Sequence, residues 1–218
     1  MVDITYLTQT IANLFEIPIA IIMTFILLGK LLKEHSETGE WNTTRFIMLG
    51  IFTGYTITVF WGDLYEIFAP LNFLSYELAG NTLSIVNIFS IGVGIIVCFA
   101  LSLIAHAYNI EWLLYTPFFI FIGMLFIYFY TGYYEMYTIY LYIGAIIGLL
   151  FFFIIGFNLR DNSALGLGIF FFFSFMTIIT GEGLFSQILQ IAYSLFGIYF
   201  VLGRFRPFKE KLSEEVKN

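Results

Sequence analysis

A chain of 218 residues with 60% hydrophobic, 21% aromatic and only 11% charged side chains cannot clothe a soluble domain, which uses about 25% charged residues. Most of its surface must meet lipid, and the net charge of −6 gives no indication of nucleic acid as a partner. One cysteine, Cys98, and two histidines exclude an intramolecular disulfide and make a Cys/His metal site implausible.

A membrane-crossing helix needs ~20 apolar residues, and seven such stretches follow one another. They are Ile4–Leu32, Arg45–Phe68, Thr82–Tyr108, Glu111–Tyr130, Tyr134–Phe157, Ala164–Gly181 and Leu184–Leu202. The fold class is therefore an all-α integral membrane protein with seven transmembrane helices. Residues 1–203 form one transmembrane domain and residues 204–218 a charged cytoplasmic tail, expected as an interfacial helix. Met1 to Thr10 carries Asp3 and no basic segment, so the first span is expected to act as its own insertion signal. Lys33 to Thr44 reads as an aqueous loop, Pro70 to Asn81 as a polar loop, and the remaining connections as tight turns.

Orientation follows from the bases. With seven crossings, Lys30, Lys33, Arg45, Arg160, Arg204, Arg206, Lys209, Lys211 and Lys217 all fall on one side. The positive-inside rule then puts the N-terminus outside and the C-terminus in the cytoplasm of a cell-membrane protein. The tail bases are expected to meet anionic lipid.

Polar residues recur as stripes at helical spacing. Gln9, Asn13 and Glu16 share a face of the first span; Thr56, Asp63 and Glu66 share one of the second. Ser84, Asn87 and Ser90 mark the third, Thr177, Thr180 and Glu182 the end of the sixth, and Gln187, Gln190 and Ser194 the start of the seventh. In the derived orientation these lie mostly in the outer half, above an inner half with little polar content. They outline an outward-opening acidic pocket that would hold a cation or small ligand at Glu16, Asp63, Glu66, Asn13, Asn87, Glu182, Gln187 and Gln190. The alternative for the neutral residues is hydrogen-bonded glue between helices, at ~0.6 kcal/mol each. Burying an ionised carboxylate is costly, and the sequence offers no lysine or arginine on that side. Glu16 is thus expected to be protonated, cation-bound or opposite a cationic ligand, or else a protonated structural donor. Pro18, two residues on, permits a kink beside it. Trp61, Tyr65, Tyr133, Tyr134 and Tyr137 read as an interfacial aromatic belt.

Gly144 and Gly148, four apart, form a small-residue face suited to close helix packing. The fourth span is nearly bare of polar groups and is expected to face lipid or a partner. A retinal pigment needs a lysine within the last span, and there is none; a metal-dependent membrane hydrolase needs several intramembrane histidines, and only His106 is available. No enzyme activity, catalytic residue, metal site or cofactor is expected. Three readings survive: a receptor- or sensor-like protein acting through a membrane partner, a proton- or cation-coupled transporter or channel, and a structural subunit or homo-oligomer.

Overall fold

The structure is a computed structural model that describes residues 4–68, 76–78, 81–83, 85–132, 134–181 and 183–208, with side chains within 10–62, 90–132, 135–177, 179–181 and 183–208. Seven α-helices run through it: α1 (Ile4–Thr38), α2 (Thr43–Phe68), α3 (Ile85–Ala107), α4 (Thr116–Thr131), α5 (Tyr134–Asn158), α6 (Asn162–Thr180) and α7 (Leu184–Val201). Two three-residue strands, β1 (Tyr76–Leu78) and β2 (Asn81–Leu83), pair antiparallel with Glu77 opposite Thr82. Among the described residues six helical segments are long and apolar enough to cross a membrane, in α1, α2, α3, Glu111–Thr131, α5 and α7. The apolar stretch of α6, Asn162–Thr177, is shorter. This is the make-up of a membrane protein.

Several boundaries differ from the sequence expectation. α1 runs on to Thr38 through residues read as loop, because Lys33 and Glu37 form an exposed i,i+4 ion pair at 3.7 Å and suit a solvated helix. It stops at Gly39, whose φ of +75° is open to glycine and whose N–H closes on His35 O. The third helix begins at Ile85, since Thr82 and Leu83 belong to β2, and the fourth begins at Thr116 after a 3-10 turn over Glu111–Leu113. Pro117 near its start suits a first helical turn. After α7, residues 204–208 form no helix; the tail beyond them lies outside the described residues.

The helix order in space is a ring. α1 packs on α2 and α7, α2 on α3, α3 on α5, α5 on α6, and α6 on α7. Because α3 meets α5 directly, α4 lies outside this ring, held by α3 and α5. Its outward side chains stay bare, with Phe126 70% and Tyr130 92% exposed.

Small residues set the close crossings. A Cβ on Gly54 would come within 3.0 Å of Gly92 O, and one on Gly92 within 2.9 Å of Thr58 N, so α2 and α3 touch backbone to backbone. Gly144 is covered by Val97 of α3 and Gly148 by Ala100, which gives that pair the packing role. At Gly156 a Cβ would meet Leu165 Cα of α6 at 2.8 Å.

The core inside the ring is apolar and aromatic. Met23, Phe52, Phe170 and Phe200 are buried together with Ile19, Leu27 and Ile51. One polar seam crosses it: Thr24 Oγ1 and Thr56 Oγ1 lie 2.8 Å apart, and Thr56 also donates to Ala20 O at 3.0 Å, tying α1 to α2.

Candidate functional site

Glu16 lies one turn above Ala20, on the inward face of α1, and is only 3% exposed. A helix face that carries Asn13, Glu16 and Ala20 at spacings of three and four turns all three to the same neighbours. Asn13 is likewise 3% exposed and Ala20 fully buried. Pro18 lies within α1, so the carbonyl of Leu14 loses its usual amide partner next to the carboxyl group.

Two other helices reach the carboxylate. Tyr55 of α2 and Tyr193 of α7 both donate their hydroxyls to Glu16 Oε1. Gln190 Nε2 of α7 donates to Glu16 Oε2 and, with its second hydrogen, to Asn13 Oδ1 at 3.0 Å. The carboxyl group thus accepts hydrogen bonds from Tyr55, Tyr193 and Gln190. Tyr193 is placed by the helical spacing Gln190, Tyr193, Ser194. Ser194 fixes that turn by donating to Gln190 O at 2.8 Å.

Below the carboxylate the bundle is sealed. Phe170 of α6, fully buried, sets its ring 5.1 Å from Tyr55 and 5.4 Å from Tyr193, nearly perpendicular to both. Phe52 lies 5.4 Å from Phe170. These edge-to-face contacts hold each tyrosine ring from one side, while its hydroxyl is held by Glu16.

Of the eight residues singled out from sequence, Asn13, Glu16 and Gln190 are brought together in one hydrogen-bonded group. Gln187 is buried on α7 one turn above Gln190. Asp63 and Glu66 belong to α2 and Asn87 to α3, but their side chains lie outside the described residues, as does Glu182 altogether. Among the described residues the polar centre is Glu16.

Sequence reasoning missed Tyr55 and Tyr193. Neither is among the candidate residues, although Tyr193 follows Gln190 by three residues and so shares the polar stripe of the last helix. It also missed Gly50, Gly54 and Thr58, which recur every fourth residue along the α2 face that meets α3.

Comparison of the chain with known protein families, with curated proteins and with solved structures finds no match. The functional reading therefore rests on the chemistry of the Glu16 group.

Proposed function

We propose that this protein crosses the membrane seven times, N-terminus outside, and acts as a receptor- or sensor-like protein that binds a small cation at Glu16. The observation that carries the reading is a buried carboxylate gathered with oxygen-bearing side chains from three helices. Asn13 Oδ1 and the hydroxyls of Tyr55 and Tyr193 supply, beside the carboxylate, hard oxygens of the kind that take protons and alkali or alkaline-earth cations rather than soft metals. A unit charge 4 Å from the carboxylate would gain about 4 kcal/mol at an effective dielectric constant of about 20.

Charge distribution supports the orientation. The sequence has no lysine or arginine before Lys30, between Arg45 and Arg160, or between Arg160 and Arg204. Lys30 is fourteen residues beyond Glu16, about 21 Å along the helix, and the end of α1, the start of α2 and the residues after α7 meet at that level (Lys30 Nζ donates to Val201 O at 2.7 Å, and Arg45 reaches Lys30 O). α6, of 19 residues, supplies the seventh crossing in this reading. The aromatic seal of Phe52 and Phe170 favours binding without permeation over a transport pathway.

The test is the thermal stability of the purified protein against a panel of cations, with Glu16→Gln and Asp63→Asn beside the wild type. Binding predicts stabilisation by one class of cation, about 2.7 kcal/mol at a hundredfold excess over Kd, and its loss in Glu16→Gln. A flat response in the wild type would leave Glu16 a structural acceptor and remove this reading. Cation flux into liposomes that disappears in Glu16→Gln would replace it with transport.

A further inference from the structure

A second polar site lies at the opposite end of the bundle and owes nothing to Glu16. A cavity of about 300 Å³ opens between the end of α1, the start of α2, the start of α6 and the segment that follows α7. Lys30, Arg45 and Arg206 line it, together with Asn42, Thr44 and Ser163, and among the described residues no acidic side chain does. Its floor, Met48 and Phe200, belongs to the apolar core and closes the cavity from the bundle interior.

The three bases are held in place by backbone carbonyls. Lys30 Nζ donates to Val201 O at 2.7 Å and keeps two further hydrogens. Arg206 Nε donates to Gly203 O at 3.1 Å, which leaves the outer guanidinium nitrogens to the cavity side. Arg45 has an acidic neighbour, Glu34 at 3.1 Å from Nε. Lys30 lies close enough to feel the charges of both arginines, and like charges so gathered repel one another unless an anion joins them.

The rim is built rather than incidental. Asn162 at the start of α6 holds the backbone of Phe208 through two bonds, Asn162 Nδ2 to Phe208 O at 2.9 Å and Phe208 N to Asn162 Oδ1 at 3.0 Å. That clasp folds the segment after α7 back across the bundle and sets Arg206 at the cavity mouth. The helix α2 also begins here, and helix N-termini favour negative charge, whereas the start of α6 is already capped by Asp161, which accepts from Ser163 N and Ala164 N.

We infer that this cavity binds a phosphate-bearing anion, with Lys30, Arg45 and Arg206 as its charge partners. Arginine suits the task because its planar fork meets two phosphate oxygens at once. The phosphate belongs either to an anionic lipid headgroup of the adjoining leaflet or to a soluble molecule, and the experiment separates the two.

The full chain is reconstituted into nanodiscs of pure phosphatidylcholine or of phosphatidylcholine with phosphatidylglycerol, and its unfolding temperature is read with and without added inorganic pyrophosphate. A rise in phosphatidylglycerol discs alone assigns a lipid headgroup. A saturable rise with pyrophosphate in phosphatidylcholine discs assigns a soluble phosphate. In either arm Arg206→Gln is expected to weaken the response roughly tenfold, while Arg204→Gln, an exposed base off the cavity lining, leaves it unchanged. No rise in either arm overturns the inference, and so does an equal loss in Arg204→Gln, which would mark general surface charge.

Discussion

The Glu16 group can be interrogated by a double-mutant cycle between Glu16→Gln and Tyr193→Phe. In the wild type the Tyr193 hydroxyl donates to a carboxylate, and a bond to a charged acceptor contributes roughly 1.5–3 kcal/mol. In the Glu16→Gln background the same hydroxyl meets a neutral amide oxygen, for which about 1 kcal/mol applies. The coupling energy should therefore be about 0.5–2 kcal/mol. Glu16→Gln alone has a further cost that the geometry defines. Its new amide group would face Gln190 Nε2, donor against donor, so Gln190 must turn over, and Asn13 Oδ1 then loses the hydrogen it accepts at 3.0 Å. The assay is reversible unfolding of the four proteins in one bilayer mimetic, with stability differences read at a common denaturant concentration. A coupling within about 0.3 kcal/mol of zero would refute the reading of Glu16 as the charged acceptor of Tyr193.

Two further outcomes test the packing and the clasp. Gly156→Ala would push a methyl group against the backbone of Leu165 at 2.8 Å; it should cost about 1–3 kcal/mol, whereas Gly123→Ala, with nothing within 4 Å, should be neutral or slightly stabilising, both read by thermal unfolding. Asn162→Ala removes both bonds to Phe208 and should raise tryptic cleavage after Arg204 by roughly tenfold; an unchanged cleavage rate would show that the segment is held by something else.

The hydrophobic runs reported the helices well because the requirement for an apolar crossing is imposed by lipid and read directly from composition. Helix ends were harder. Lys33 to Glu37 looked like loop because it is polar, but lysine and glutamate are good helix formers and paired ones simply extend a helix into water. The stripe Asn13–Glu16 and its counterpart Gln187–Gln190 were visible from spacing alone. That the first and last helices would be neighbours was not, because a stripe tells which face is polar and says nothing of which helix it meets. Tyr55 and Tyr193 escaped for a related reason: a tyrosine is mostly ring, and only its partner decides whether the ring or the hydroxyl matters. The Gly54–Gly92 contact required both helices to be seen together, since each glycine alone is ordinary in a membrane span.

Tyr193 and Gln190 lie 177 and 174 residues from Glu16 in the chain. At a synthesis rate of about 5–20 residues per second, roughly 10–35 seconds separate the making of Glu16 from the making of its partners on the last helix. Over that interval α1 and α2 are already made, and Tyr55 is the one of these three donors that can reach the carboxylate. The acid must wait in the insertion machinery, at the lipid boundary or on a proton until α7 arrives to close the ring. The Glu16 group can therefore be completed only after the last helix has been made, whatever the order in which the helices between them pack.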